Sequence, residues 1–524
     1  MADASSLGAA GRPAAGAAPR INRGAITASI MLATFMQGVD TTIANVALPH
    51  MQGSFSVAQD QIAWVVTSYI VAAAIMTPLT GWLAGRFGIK YVFLISVIGF
   101  TVASALCGSA TSLTQMVIYR LIQGVCGAAL VPLSQSVLLH INPPERHAKA
   151  MAVWGMGVIL GPIIGPALGG WLTEDYSWRW VFYINLPVGI LAATGIMIFI
   201  HETRHGRRDA FDFFGFAALS VAIGALQMLL DRGEQQDWFG STEIWIEATI
   251  ALVGLYLFIV HTATAGERSF LNRALLKDAN CVAGTILMFL IGIPLYGSMV
   301  LLPTMMQTLL NYPVVTAGFV TAPRGIGTMI AMFLVARIIG KFDIRLIILG
   351  GLLLTALALW QMTGFSLQMG MGPLITTGLL QGFGLGFVFT PLSVVTFSTL
   401  PRQVLTQGTA IFSLMRNLGG SVGISVVEAL LAENTQTVHS QLIQHVRPDN
   451  PAMLSRLHVL PYSLSLSTPS GVAAINAEVT RQAQMIAYLD DFYVMVLVIV
   501  VSLPFLLLLR RAKRAAKGPV VAID

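Results

Sequence analysis

Apolar residues run in stretches of about twenty along nearly the whole chain, and short polar segments separate them. Fourteen stretches are long enough to cross a bilayer as helices at 1.5 Å per residue. The first six are 25–48, 61–83, 91–111, 114–139, 150–172 and 180–200. An inserted pair follows at 213–230 and 244–263, and six more lie at 280–303, 314–337, 345–364, 373–398, 406–431 and 487–509. No Lys, Arg, Asp or Glu interrupts 279–323 or 346–401, and each of these gaps holds two spans and a turn. The pattern predicts an all-α integral membrane protein with both termini on one side.

A second regularity lies on top of the first. Leu121–Ser134 is echoed by Leu379–Ser393 about 258 residues on, with one residue inserted, and the same offset carries Leu160, Gly161 and Gly165 onto Leu418, Gly419 and Gly423. Two six-helix halves therefore share one plan, a parallel repeat with the site expected between the halves. The expected divisions are a disordered cytoplasmic N-terminus at 1–24, a first half at 25–200 and an inserted two-helix segment at 201–270. A second half at 271–510 carries a long polar outer loop at 432–486, and a cytoplasmic tail fills 511–524. The loop reads as weakly structured and as either a tolerated insertion or a docking surface. The inserted pair falls outside the symmetry and is expected at the periphery.

Composition narrows the class. A mean hydropathy of +0.75 with 10% charged residues excludes an ordinary soluble protein, in which about a quarter of residues are charged. The pI of about 9.3 does not point to nucleic acid, because no soluble domain collects the basic residues. They follow topology instead. With cytoplasmic termini, 22 of the 30 Lys and Arg residues fall on inner segments, five outside and three within spans, as the positive-inside rule requires. Cys107, Cys126 and Cys281 fall in apolar runs without metal-ligand or disulfide spacing and read as packing residues.

Five ionisable residues read as lying well inside spans: Asp40, Arg120, Arg324, Arg416 and Glu428. Each costs at least about 2.5 kcal/mol at a helix centre, so each should face protein or water. Gln37, Asp40, Thr41, Ala44 and Asn45 follow the i, i+3, i+4 spacing of one helical stripe. Asp40 and Arg120 lie at similar depth in the outer half of their spans and can meet, with Gln123 and Gly124 on the arginine's face. A carboxylate beside an arginine suits proton coupling, and a fixed ion pair is the plainer alternative. Arg324 and Arg416, with Asn417 beside the latter, reach the middle of spans ten and thirteen, either as substrate-cavity or gating groups or as carbonyl-binding glue. Glu428 reads as interfacial. Three arginines against two acids favour neutral or anionic amphiphiles.

Glycine motifs complete the picture. Gly81, Gly85, Arg86, Gly88 and Lys90 occupy a segment read as a tight cytoplasmic turn, its cations free to contact helix ends or acidic lipid. Gly161-Pro162, Gly165-Pro166 and Gly169 place small residues every four positions, which permits close helix approach and bending. With Asp40–Pro49, Arg120–Gly124, Trp178–Pro187 and Leu230–Gly233 these motifs resemble those of the major facilitator superfamily, specifically its fourteen-span drug:proton antiporters of the EmrB/QacA type. The resemblance covers nearly all of 25–510. It departs at Gly85, where the loop signature carries an acid thought to latch one conformation.

The resemblance implies a multi-pass inner-membrane exporter of amphipathic small molecules, powered by the proton gradient and needing no cofactor or metal. Asp40 and Arg120 would serve proton coupling; from their own positions on the spans, Gln37, Thr41, Asn45 and Gln123 are expected at the substrate cavity or gate with Arg324, Arg416 and Asn417. It also implies that some relatives work with a periplasmic adaptor and an outer-membrane channel. Proton-linked uptake of a metabolite is disfavoured by the fifth-span motif. A membrane-embedded enzyme is disfavoured by the absence of HExxH, GxSxG or paired intramembrane aspartates.

Overall fold

The computed structural model describes residues 22–201, 211–266, 269, 271–446 and 468–510. Every predicted span falls on a helix. The first half comprises α1 (Arg23–Phe55), α2 (Gln59–Met76), α3 (Leu79–Phe87), α4 (Ile89–Ser109), α5 (Leu113–Gly127), α6 (Leu130–Ile141), α7 (His147–Asp175), α8 (Trp180–Tyr183) and α9 (Asn185–Phe199). The inserted pair is α10 (Phe213–Arg232) and α11 (Thr242–Thr264). A short α12 (Arg273–Lys277) leads to α13 (Ala279–Thr308), α14 (Val314–Ile338), α15 (Ile344–Met362), α16 (Met371–Phe397), α17 (Leu405–Ile443) and α18 (Pro469–Ser502).

Two spans break beside a proline, whereas Pro49, Pro162, Pro166 and Pro391 lie inside unbroken helices. The second span bends by 56° between α2 and α3 at Thr77-Pro78, and the fourth breaks between α5 and α6, where the Pro132 ring opposes the carbonyl of Ala128. Twelve helices among the described residues are long and apolar enough to span, and thirteen when the bent pair counts as one. The 33-residue α1 is not among them, because Gln37, Asp40, Thr41, Thr42 and Asn45 dilute its apolar character. The fourteen-span count depends on including it.

The predicted turn is largely helical. Gly81, Gly85 and Arg86 lie inside α3, and only Gly88, at φ 95°, turns the chain. Gly81 serves packing: a Cβ there would come within 2.8 Å of the Gln407 Cα on α17. Gly85 has no neighbour within 4 Å of such an atom. Lys90 does contact a helix end, donating to the carbonyl of Met197 at 2.7 Å. The small-residue stripe of α7 lies against α1, where a Cβ on Gly161 would stand 2.5 Å from the Gly38 carbonyl carbon.

The halves meet along two seams. On one, α7 packs against α14. On the other, at the predicted cytoplasmic end, α3 and α6 pack on the start of α17. There the Ser136 and Thr406 hydroxyls lie 2.7 Å apart, and Thr409 donates to the Pro132 carbonyl at 3.1 Å.

Two expectations need correction. The inserted pair is not wholly peripheral: α10 packs on both α2 and α17. Thr67 on α2 donates to Asp231, Ser425 on α17 donates to the Leu230 carbonyl at 2.7 Å, and Ile223 joins Ala74, Leu414 and Leu418 in one apolar cluster. Only α11 stays outside, packed mainly on α10. The 432–486 loop is also more helical than its polarity suggested. Helix α17 continues to Ile443 and α18 begins at Pro469, with His439 bonded to Asn476 at 3.1 Å. Residues 447–467, 1–21 and 511–524 lie outside the described residues, so the expectations for the rest of the loop and both termini are untouched.

Candidate functional site

Asp40 and Arg120 meet. The guanidinium Nη1 donates to the Asp40 carboxylate at 2.8 Å, with the side chains 0% and 1% exposed. Asp40 sits near the middle of α1 rather than towards its outer end, because the helix runs on to Phe55 through Pro49. Arg120 also donates to Gln123 Oε1 at 2.8 Å and, through Nε, to the Val65 carbonyl at 3.1 Å. Its Cζ lies 4.3 Å from the centre of the Tyr69 ring, a cation–π contact.

The second carboxylate oxygen is held as firmly. Gln123 Nε2 and Asn185 Nδ2 donate to Asp40 Oδ1 at 2.8 and 2.9 Å, and Asn185 also donates to Ser104 Oγ at 2.9 Å. Four spans thus converge on one buried charge pair. Both carboxylate oxygens and the guanidinium Nε and Nη1 are thus bonded, which lowers the cost of burying the pair, since each ion is expensive unless its remaining donors and acceptors are satisfied. Gly124 makes the approach possible: a Cβ there would lie 2.5 Å from the Tyr69 carbonyl oxygen.

The predicted stripe on α1 divides. Asp40 and Ala44 are buried, Gln37 is half-buried, and Thr41 and Asn45 are exposed. Among the described residues Thr41 bonds only to the Gly38 carbonyl of its own helix, at 3.0 Å, and none of Gln37, Thr41 and Asn45 lines the cavity between the halves. Gln123 was placed in the cavity from sequence, and the structure puts it in the charge cluster instead. Asn185 was missed as a functional residue. Its signal was a polar side chain directly ahead of Leu186-Pro187, at a helix start where the side chain reaches inward.

A cavity of about 1090 Å³, including its open mouth, lies between the halves and is lined by α7, α13, α14, α16 and α17. Pro162, Pro166, Tyr296, Met299 and Phe389 give it apolar walls, and Arg324 and Arg416 both line it. Among the described residues no Asp, Glu, His or Lys does. Arg324 donates to the Leu295 carbonyl at 2.9 Å. Among the described residues Arg416, 5% exposed, bonds only to the neighbouring Asn417 oxygen, at 3.3 Å. Asn417 and Glu428 are themselves exposed. The predicted excess of arginine over acid does not hold for the whole bundle, because Asp491 and Glu247 are buried too. It holds for the cavity.

The two halves repeat the site's shape without its charge. The 258-residue offset carries Gln123 onto Gln381 and Asp40 onto Ser298. Gln381 Nε2 donates to Ser298 Oγ at 2.9 Å, mirroring the bond from Gln123 to Asp40. Gly378 stands where the first half has Arg120, and the nearest atom to a Cβ there is the Arg324 Cβ, at 3.9 Å. The second half brings its cation in from α14 instead.

Comparison with known proteins agrees with this architecture. The sequence profile of the Major Facilitator Superfamily matches residues 30–424. Multidrug export protein EmrB of Escherichia coli (strain K12) is 36% identical over 477 residues, covering 89% of this chain and 91% of that protein. Fatty acid resistance protein FarB of Neisseria gonorrhoeae is 36% identical over 484 residues, covering 91% and 94%. Among solved structures, the human organic anion transporter MFSD10 (TETRAN) superposes with a TM-score of 0.57 at 15% identity, covering 91% of this chain and 99% of that one, a likeness of fold. The chain belongs to the Major Facilitator Superfamily and, within it, to the group that contains the EmrB proteins.

Proposed function

We propose that this chain is a proton-coupled antiporter that exports amphipathic small molecules from the cytoplasmic membrane by alternating access. The observation that carries the reading is the sealed Asp40–Arg120 pair at the centre of the first half. A proton arriving at Asp40 removes the charge that holds Arg120 and Gln123, so the four spans bound through it can rearrange. Loss of the proton restores the pair. The hydroxyl pins at Ser136, Thr406 and Thr409 support a state closed towards the cytoplasm, from which substrate leaves outward. Binding and release of protons supply the energy, and no cofactor takes part. The relatives' names support export over uptake.

The cavity supports a preference for anionic amphiphiles, because its apolar walls carry two guanidiniums and no acid. Inverted vesicles with an imposed pH gradient test this with decanoate and tetraphenylphosphonium as probes. We expect accumulation of decanoate above that of the cation, and about a tenfold weaker apparent affinity for decanoate in Arg416→Gln or Arg324→Gln, as loss of a charge-assisted hydrogen bond predicts. Equal handling of both probes, unchanged in the variants, would sink the preference.

The helical extensions of α17 and α18, tied by His439 and Asn476, support docking of a periplasmic adaptor that leads to an outer-membrane channel. Shortening the connection between Ile443 and Pro469 should lower adaptor recovery in a pull-down while leaving transport in vesicles intact. Undiminished recovery would count against docking there.

A further inference from the structure

Asp491 has no role in the account so far, and its surroundings are unusual. It lies on α18 with its side chain 0% exposed, and neither carboxyl oxygen has a hydrogen-bond partner among the described residues. Buried polar groups are nearly always satisfied, and an orphan calls for an explanation. A buried ionisable group within a span is costly enough that function is its default reading. Asp491 lies on the packed face of α18 with Tyr488 and Met495, and Met495 reaches the contact between Gly297 on α13 and Val427 on α17. The carboxyl therefore sits one helical turn away from a three-helix junction inside the second half.

Symmetry gives the position meaning. In the first half the acid is on the first span and a buried amide, Asn185, is on the sixth. In the second half the equivalent of Asp40 is Ser298, and the buried acid, Asp491, is on the sixth span. We propose that Asp491 is a second proton-binding carboxyl, the second half's counterpart to Asp40, reached from water past Glu428 and Tyr488. Glu428 is exposed on α17 next to Val427, which meets Met495 of α18 at Gly297, and Tyr488 stands one turn from Asp491 on the packed face of α18. The other charged or titratable groups on the packed elements are few. Asp490 and Tyr493 lie on the exposed face of α18, whose Glu478 and Arg481 stand more than two turns before Asp491; α17 adds Arg416, three turns before Glu428, and Glu433 and His439 beyond it, α13 adds Cys281 and Tyr296, and α15 adds Arg345 at its opposite end. Among the described residues no cation bonds to the carboxyl, so a proton is the partner that satisfies it. Binding makes one O–H bond on the carboxylate, and release returns the proton to water.

This inference rests on the antiport reading but can fail independently of it. Infrared difference spectra of the purified full chain read the acid directly. We expect a carboxylic C=O band that is present in the wild type and in Asp40→Asn, absent in Asp491→Asn and shifted in Asp491→Glu. In inverted vesicles carrying a pH-sensitive dye, Asp491→Asn should halve the protons exchanged per decanoate, whereas Asp491→Glu, which keeps the acid, should preserve the ratio and guards against a folding artefact. A band unchanged in Asp491→Asn, or an unchanged ratio beside an inactive Asp40→Asn, overturns the inference alone. If the wild type exchanges no protons, the antiport reading falls, and the infrared band still decides whether Asp491 holds one.

Discussion

Replacing Arg120 with methionine is expected to cost about 3–5 kcal/mol of stability, the penalty for stripping one partner from a buried ion pair. The charge left behind is Asp40, 0% exposed, with only Gln123 and Asn185 to solvate it. Methionine fills much of the space but offers no donor to the carboxylate or to the Val65 carbonyl. Arg120→Lys should fall between, because lysine keeps the charge and loses the planar fork that serves Asp40, Gln123 and Val65 together. Removing both charges in Asp40→Asn/Arg120→Met should recover most of the loss, since a neutral pair pays no uncompensated burial. Thermal unfolding of the four purified proteins in one detergent checks the series. A single Arg120→Met variant as stable as its parent would show that the pair is not sealed as described.

The parts of this arrangement legible in the sequence were those that a helix expresses as period or depth. Asp40 and Arg120 could be paired because spans fix height, and their polar neighbours fixed a face. The α7 glycines were legible for the same reason, a spacing of four that places Gly161 against Gly38. A stripe is wider than a contact, however. Thr41 follows Asp40 in sequence and so points about a quarter turn away, to the exposed side. Lateral placement was also out of reach. Helix α10 is apolar around most of its girth, so periodicity says nothing about which neighbours it touches, and its position between α2 and α17 emerged only from packing. Hydropathy finds where the membrane ends and not where a helix ends, which is why the polar continuations of α17 and α18 read as loop. Asp491 was passed over because Asp490 beside it, at the end of a span, makes the pair look interfacial. One of them is exposed and the other wholly buried.

Asp40→Asn should fold and fail to couple. Asparagine keeps the shape and retains one oxygen to accept from Gln123 and Asn185. Arg120 keeps the Val65 carbonyl, the Gln123 oxygen and the Tyr69 ring, so the cation left behind is better solvated than the anion left by Arg120→Met. What the variant lacks is a group that binds and releases a proton at the point where four spans meet. The measurement that tests the central claim most directly is decanoate transport in inverted vesicles, wild type against Asp40→Asn, read once under a pH gradient and once as decanoate–decanoate exchange without one. The account predicts that gradient-driven accumulation in Asp40→Asn drops to the level of vesicles without the protein while exchange continues. Full gradient-driven accumulation in the variant would contradict it and leave the Asp40–Arg120 pair a structural tie.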